Sequence, residues 1–324
     1  MRVVSLTAAE LHRLRGVFEE EVGCWRSQLH WDYRPSTQLI RRHVSSQSLP
    51  GFVLRDGPGQ AAGYVYYVSN PPVGFIGNLF VRQSNDTLLA YQMLFDQAFL
   101  ALRSWKGVQR IESQLFPFYT SLEPIFRAAG FEVRKRYFLS LQLDRLVEAA
   151  LPPPGSLPVR ICPWRSVHFN AAAAVIYDSY SDSPDHELCF DYQSLEGCGR
   201  FLRNIIDNPG CGQFRPQSSQ VALDGRGEVC AILITSRISS STGMIPQVSV
   251  RRDWQGRGIG SHLLRLYFTS ARRHGFKRIA LSVSEANQKA YKLYKRLGFN
   301  QERSFQAYVW TADETVKKAV GFRL

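Results

Sequence analysis

The chain has 324 residues, a length that predicts two domains rather than one. Its formal net charge of +13 favours an anionic ligand or surface. No apolar run approaches the roughly 20 residues that span a bilayer, so we expect a soluble cytoplasmic protein with no membrane partner. The six cysteines lack C-x-x-C spacing and the seven histidines are scattered, so we expect no metal site.

Hydrophobic periodicity and turn residues place the elements of the first half. Thr7-Ala8-Ala9-Glu10 has the pattern of a capping box and predicts a helix reaching about Glu20. The other predicted elements are a strand at 2–6, a helix at 35–44, strands at 51–55 and 61–68, a helix at 88–105, a strand at 110–115 and one or two strands over 132–143.

A proline-rich stretch at 151–158 predicts a short stiff linker between a domain at 1–150 and a second domain at 159–324. The elements predicted after it are a strand at 159–162, helices at 170–180 and 194–206, strands at 220–223, 228–236 and 246–250, a helix after residue 260, a strand at 278–284, a helix after residue 287 and a short helix at 312–324.

The segment Gln255-Gly256-Arg257-Gly258-Ile259-Gly260 lies between an apolar strand and a helix with an apolar stripe. Three glycines let the backbone approach a ligand without Cβ clashes. The helix N-terminus that follows carries unpaired N–H groups and a partial positive charge. The segment therefore predicts a phosphate-binding turn, with a ligand-free glycine turn as the alternative.

Two common glycine motifs fit this segment poorly. A dinucleotide-binding fold places G-x-G-x-x-G after the first strand of a βαβ unit, whereas this segment lies late in the chain. A nucleotide P-loop ends in Gly-Lys-Ser/Thr, which is absent here. The identity of the phosphate must come from the residues that follow.

A second helix signal follows the next buried strand. Asn287 is a good N-cap and Gly298 a good C-cap glycine for a helix between them. Apolar residues lie on one face of this helix, basic residues lie on the other, and it ends in Leu297-Gly298-Phe299. The strand, glycine turn and capped helix over about 245–300 together resemble the GCN5-related N-acetyltransferase (GNAT) superfamily.

The resemblance implies an α/β (α+β) fold of two tandem GNAT domains, each with a mixed, mostly antiparallel sheet flanked by helices. It implies acetyl transfer from acetyl-CoA, as co-substrate, to a primary amine of a small molecule or peptide, by direct attack in a ternary complex. The alternative is an acetyl-CoA-binding sensor without turnover. The implied cofactor-binding residues are Val248, Val250, Gln255, Gly256, Arg257, Gly258, Ile259, Gly260, Ser261, Asn287 and Tyr294.

Catalytic roles follow from the same resemblance. The backbone N–H near Val248 would stabilise the charge on the thioester oxygen, and Tyr294 would protonate the leaving thiolate. Many relatives place a glutamate on the strand before the turn, but residues 243–250 contain no carboxylate. The candidates for the base are Glu285, Asp185, Glu187 or a water held by Gln247 or by the backbone.

The first half repeats the order of elements, which indicates an internal duplication. Ile125-Phe126-Arg127-Ala128-Ala129-Gly130-Phe131 echoes the end of the second capped helix. The first copy has no glycine between Gly77 and Gly107, and Phe126 stands where the second copy has Tyr294. We therefore expect a degenerate first domain that does not bind CoA.

Surface charge suggests what the protein binds. Basic residues around the glycine turn would attract an anionic cofactor, and without a recognisable nucleic-acid-binding motif we expect no nucleic-acid partner. If four acidic residues line the acceptor pocket, they favour a cationic amine such as an aminoglycoside or polyamine; they are Asp182, Asp185, Glu187 and Asp191. The oligomeric state and the acceptor itself stay open.

Overall fold

A computed structural model describes residues 1–57, 59–146 and 157–312. The helices are α1 (Arg15–Leu29), α2 (Arg34–Ser45), α3 (Leu88–Ser104), α4 (Glu123–Ala128), α5 (Phe169–Tyr180), α6 (Leu195–Asp207), α7 (Ile259–Arg273) and α8 (Gln288–Arg296). The strands are β1 (Arg2–Ser5), β2 (Gly51–Asp56), β3 (Gln60–Asn70), β4 (Val73–Val81), β5 (Arg110–Leu115), β6 (Glu132–Gln142), β7 (Arg160–Pro163), β8 (Gln213–Phe214), β9 (Gln220–Leu223), β10 (Val229–Arg237), β11 (Thr242–Val250), β12 (Arg278–Ser284) and β13 (Asn300–Thr311).

The chain divides into two compact units. Among the described residues, the first comprises those of Met1–Trp25, Tyr33–Lys135 and 305–312, and the second comprises those of Arg26–Asp32 and Arg136–Ser304. In the first unit the strand order is β1-β2-β3-β4-β5-β13. In the second it is β6-β12-β11-β10-β9-β7, with β8 beside β10. Only β4–β5 and β11–β12 pair in parallel among these neighbours, so each sheet is mixed and mostly antiparallel, as predicted.

Each unit contains a strand from the other half of the chain. Residues 136–142 of β6 pair with β12, and residues 306–311 of β13 pair with β5. The units therefore do not follow the contiguous ranges 1–150 and 159–324. Residues 151–156 of the expected linker and residues 313–324 of the expected terminal helix lie outside the described part of the chain.

The two units share a bulged central strand. In the first, Tyr66–Asn78 and Tyr67–Ile76 are successive pairs, so β4 has an extra residue at Gly77. In the second, Ile234–Gln247 and Ser236–Met244 are pairs, so β11 has an extra residue beside Pro246. Each parallel ladder ends just before the bulge, at Ile76–Ser113 and at Ile245–Leu281. This repeated geometry supports the duplication.

A contact between the first helix and a loop also repeats. In the first unit, Glu20 on α1 accepts a hydrogen bond from the Gln83 N–H at 2.6 Å. In the second, Asp178 on α5 accepts one from the Arg252 N–H at 2.6 Å. Each acid therefore fastens the first helix of its unit to the segment that follows the central strand.

Helices cover both faces of each sheet. In the second unit, the side chains of α7 and α8 form one core cluster with residues such as Leu233, Ile245 and Leu281. The side chains of α5 and α6 form another with Ile232 and Ile234. Side chains alternate between faces along a strand, which is why neighbouring residues of β10 contribute to opposite cores.

The capping-box prediction at Thr7 is wrong. Only a three-residue 3-10 turn, Ala8–Glu10, follows Thr7, and the Thr7 side chain makes no capping hydrogen bond. The Glu10 carboxylate instead accepts a hydrogen bond from Arg55 Nε on β2 at 2.9 Å. The Glu10 carboxylate therefore forms a tertiary ion pair with Arg55, whereas the capping-box pattern predicted a hydrogen bond to the backbone.

Candidate active site

Beyond Ile245, the edge of β11 that faces β12 is unpaired. The two strands pair from Thr242–Arg278 to Ile245–Leu281, where their ladder ends. The bulge bends β11 at this point, and Pro246 has no N–H to donate to a neighbouring strand. The strands therefore separate over the last residues of β11.

The backbone groups of Val248 and Val250 point toward this unpaired side. The Arg251 N–H donates to the Cys230 carbonyl at 2.8 Å, so Arg251 and Cys230 form a hydrogen-bonded pair of the antiparallel ladder. Such pairs alternate with non-hydrogen-bonded ones, and Val248 and Val250 fall in the second class. Their N–H and C=O groups consequently face away from β10.

The glycine turn lies immediately after this edge. Gly256 and Gly258 have φ values of 78° and 82°, a left-handed conformation that is strained for residues with a side chain. Both glycines are exposed. Because α7 begins at Ile259, the first N–H groups of the helix, including those of Gly260 and Ser261, have no intrahelical acceptor. The turn thus presents several amides and the positive end of a helix dipole.

The side chains around the turn have structural partners within the protein. Arg251 is bound by Asp253, and Arg252 pairs with Asp178 and Asp182 on and after α5, so these two cations have structural partners. Arg257 stacks over the Trp254 ring with its guanidinium carbon 4.6 Å from the centroid, and it donates to the Asp253 carbonyl at 3.0 Å. The Gln255 amide donates to the Val250 carbonyl at 3.1 Å and thereby ties the turn to the end of β11.

Asn287 caps α8 and also contacts an acid from a distant segment. Its Oδ1 accepts from the Ala290 N–H at 3.1 Å, as a good N-cap residue does. Its Nδ2 donates to Asp185 Oδ2 at 3.3 Å. Asp185 lies in the connection between α5 and α6 and is 7% exposed. The hydrogen bond places it beside the predicted site residue Asn287.

Tyr294 lies on the inner face of α8. It is 7% exposed, and burial together with the nearby Tyr180 and Asp185 raises its pKa well above the ordinary value for a phenol. Among the described residues, none accepts a hydrogen bond from its hydroxyl. Tyr294 therefore keeps its proton at neutral pH and has a hydroxyl available to a ligand.

The remaining acids predicted near the site are arranged differently. Glu285 is exposed and accepts a hydrogen bond from the Tyr137 hydroxyl. Asp182 pairs with Arg252 at 2.8 Å, Asp191 pairs with Arg200 at 2.9 Å, and Glu187 is exposed. The prediction of a polycationic acceptor depends on four acids, and two of them, Asp182 and Asp191, are paired with arginines.

Sequence reasoning missed the contact between Gln247 on β11 and the stacked pair of Tyr180 and Tyr192. Gln247 donates to Ser249 Oγ at 2.7 Å and to the Tyr180 hydroxyl at 3.4 Å. Tyr180 stacks on Tyr192 with ring centroids 3.9 Å apart. Alternation along β11 places Gln247 and Ser249 on one face, but no motif indicates that Tyr180 and Tyr192 reach it.

The corresponding turn of the first unit is already satisfied by side chains. The Gln83 N–H is bound by Glu20, and the Thr87 hydroxyl accepts from the Ala90 N–H at 3.2 Å at the start of α3. Phe126 stacks on Tyr308 with centroids 3.8 Å apart, so an apolar core contact occupies the position equivalent to Tyr294.

Two absences apply to the described residues alone. They contain no group of three or more His, Cys, Asp or Glu arranged to hold a metal ion. None of their helices is both long and apolar enough to cross a lipid bilayer.

A family model described as "Acetyltransferase (GNAT) family" matches residues 177–299. This range contains the bulged strand, the glycine turn, α7, α8 and the connection that carries Asp185. A search of curated proteins found no significant match.

Three solved structures with folds similar to the whole chain are described as GNAT proteins. A GNAT acetyltransferase from Sphaerobacter thermophilus is 16% identical, with a TM-score of 0.65 and 95% of each chain covered. A tandem GNAT protein from the clavulanic acid biosynthesis pathway is 14% identical, with a TM-score of 0.57, 96% of this chain and 98% of that chain covered. A fungal multi-domain β-N-acetylglucosaminidase with a glucosamine N-acetyltransferase region is 16% identical, with a TM-score of 0.63, 95% of this chain and 38% of that chain covered.

The family match covers residues 177–299, and the solved structures show the fold of the whole chain. Residues 177–299 form a GNAT domain, and the chain as a whole has the tandem GNAT fold.

Proposed function

We propose that the protein transfers the acetyl group of acetyl-CoA to a primary amine by direct attack in a ternary complex. One observation carries the proposal: the unpaired edge of β11 leads directly into exposed amides at the N-terminus of α7. An extended thioester with a diphosphate at its far end matches both features. The pantetheine arm pairs with Val248 and Val250, and the diphosphate lies on the amides of 256–261.

Val248 and Tyr294, the proposed catalytic groups, belong to the same cluster of packed side chains in the second unit. The Val248 N–H stabilises the negative charge that develops on the thioester oxygen. Tyr294 protonates the departing thiolate, a role for which its raised pKa keeps it in the phenol form. Asn287, the N-cap residue of α8, contributes to cofactor binding. No covalent enzyme intermediate is required.

In this proposal the first unit does not bind CoA. The turn amide of Gln83 is already hydrogen-bonded to Glu20, and Phe126 supplies no phenol. The first half of the chain contributes to the second unit structurally, because its strand β6 pairs with β12.

A matched pair of glycine variants tests cofactor binding. Gly258 and Gly275 flank the two ends of α7, with φ values of 82° and 79°, and a Cβ added at either position would meet no neighbouring atom within 4 Å. We expect Gly258→Asp to weaken CoA binding by about tenfold or more in calorimetry, because its carboxylate would face the diphosphate. Gly275→Asp adds the same charge and backbone strain at the other end of the helix and should bind CoA as the wild type does. Equal affinities for the two variants would contradict the proposal.

Turnover distinguishes the enzyme from a sensor. The assay follows CoA release from acetyl-CoA with putrescine, glucosamine, lysine and phenethylamine as acceptors. Acetylation of at least one amine supports the enzyme. Tight acetyl-CoA binding without transfer to any amine would favour the sensor.

A further inference from the structure

The carboxylate of Asp185 stands out among the acids of the second unit. The residue is 7% exposed, and the side-chain donor that its carboxylate accepts from is the neutral amide of Asn287. Among the residues that the structure describes, no lysine, arginine or histidine forms an ion pair with it. A buried charge without a partner is costly, so this site is suited to a ligand that brings a cation.

The location of Asp185 fits the reacting end of the cofactor. Asp185 and Tyr180 both raise the pKa of Tyr294, the proposed donor to the thiolate. Asn287 fixes the carboxylate while its own Oδ1 caps α8, which limits the freedom of the amide to turn away. An ammonium group bound by Asp185 would therefore lie near the N-terminus of the helix that carries Tyr294.

The other acids are less suited to this role. Asp182 and Asp191 each pair with an arginine, and Glu285 is exposed and bound by Tyr137. Within the described residues, the site thus offers one buried, cation-free carboxylate rather than an acidic surface. This arrangement matches an acceptor that presents a single ammonium group, not a polycation.

We propose that Asp185 binds the acceptor amine as its ammonium ion and takes the proton that must leave before attack. The proposal rests on the acetyl-transfer function above. The freed amine attacks the thioester carbonyl, forming the C–N bond, and the C–S bond breaks as the adduct collapses. Tyr294 gives its proton to the thiolate, the second nitrogen proton restores the phenol, and Asp185 releases the first proton to solvent.

A matched pair of carboxylate variants tests the role. Asp185→Asn keeps the size and an acceptor for Asn287 but removes the charge. We expect it to lower kcat/KM for the best amine of the panel by about 100-fold or more, with CoA affinity unchanged within about twofold. Asp182→Asn makes the same change at an exposed acid and should retain wild-type turnover. Equal turnover by both variants would overturn the proposal, while a wild type that acetylates no amine would instead refute the underlying function.

A competition experiment on the wild type needs no variant to fold. The trimethylammonium form of the best acceptor keeps the charge but cannot be acetylated, and its tert-butyl isostere lacks the charge. We expect the charged analogue to compete with the amine at least about tenfold more strongly, since Asp185 recognises the cation. Comparable inhibition by the two analogues, or none by either, would exclude an ammonium-binding carboxylate.

Discussion

At the residue scale, the proposed acid depends on the environment of one phenol. Tyr294 and Tyr291 lie on the same short helix, but Tyr294 is buried against the core, whereas Tyr291 is more exposed and packs on Tyr137 with ring centroids 5.2 Å apart. Burial and two nearby groups raise the Tyr294 pKa, which holds the phenol protonated throughout the physiological range. A protonated phenol is a competent donor to a thiolate.

Replacing this phenol tests its role. We expect Tyr294→Phe to lower kcat by about 100-fold, because the leaving thiolate loses its proton donor, while the affinity for acetyl-CoA changes by less than about twofold. Steady-state kinetics and calorimetry on the same preparation give both values. Tyr291→Phe, on the same helix, should behave as the wild type. An unchanged kcat in Tyr294→Phe would assign that hydroxyl to the core alone.

At the element scale, the first unit contains a buried acid between α1, β3 and β4. Glu21 has no exposed surface, and accepts hydrogen bonds from the Tyr64 hydroxyl at 2.7 Å and the Asn78 amide at 2.9 Å. Burial raises the pKa of Glu21 to about 7, although those hydrogen bonds favour the charged form. The second unit has neutral groups at the equivalent contact, where Ser179 on α5 bonds Ser249 at 2.9 Å.

The raised pKa of Glu21 predicts a specific pH dependence of stability. Between the unfolded pKa of 4.5 and the folded value of about 7, the folded state holds a proton that the unfolded state has lost. Stability from this group is therefore complete below 4.5 and is lost as the pH rises toward 7, by about 3 kcal/mol. Glu21→Gln should remove this slope, which urea denaturation of both proteins from about pH 4.5 to about pH 7.5 measures. Parallel curves for the two proteins would contradict the assignment.

Local patterns predict some of these elements better than others. The α7 and α8 helices, the glycine turn and the caps at Asn287 and Gly298 follow from periodicity and capping residues, whose causes lie within a few positions. Asp185 is over 100 residues from Asn287, so no local pattern reports their contact. Glu10 fails in the same way, because its partner Arg55 lies on a different element.

At the scale of the whole molecule, the order of elements is duplicated but the sheets are not contiguous in sequence. Each unit repeats a bulged central strand followed by a parallel neighbour. Yet the strand that borders β5 is β13, and the strand that borders β12 is β6. The hydrophobic pattern of a strand specifies which of its faces is buried, but not which copy supplies its neighbour. Pattern analysis therefore does not predict the exchange of β6 and β13.

The exchange predicts that neither half folds alone. A fragment of residues 1–150 would lack β13 and with it Phe305, Tyr308 and Trp310, which pack on Phe116, Phe126 and Phe99. A fragment of residues 157–324 would lack β6 and leave β12 with an open edge, an aggregation hazard.

We therefore expect each fragment, expressed separately, to show no cooperative thermal transition by circular dichroism, whereas co-expression should restore a single complex in gel filtration. The control is the full chain with a protease site inserted between residues 150 and 157, cleaved after folding. Its two pieces should co-elute and retain CoA binding, because the exchanged strands connect them without the covalent link. A 157–324 fragment that melts cooperatively and binds CoA by itself would show that β6 is dispensable, and that the exchange adds nothing to the stability of the second unit.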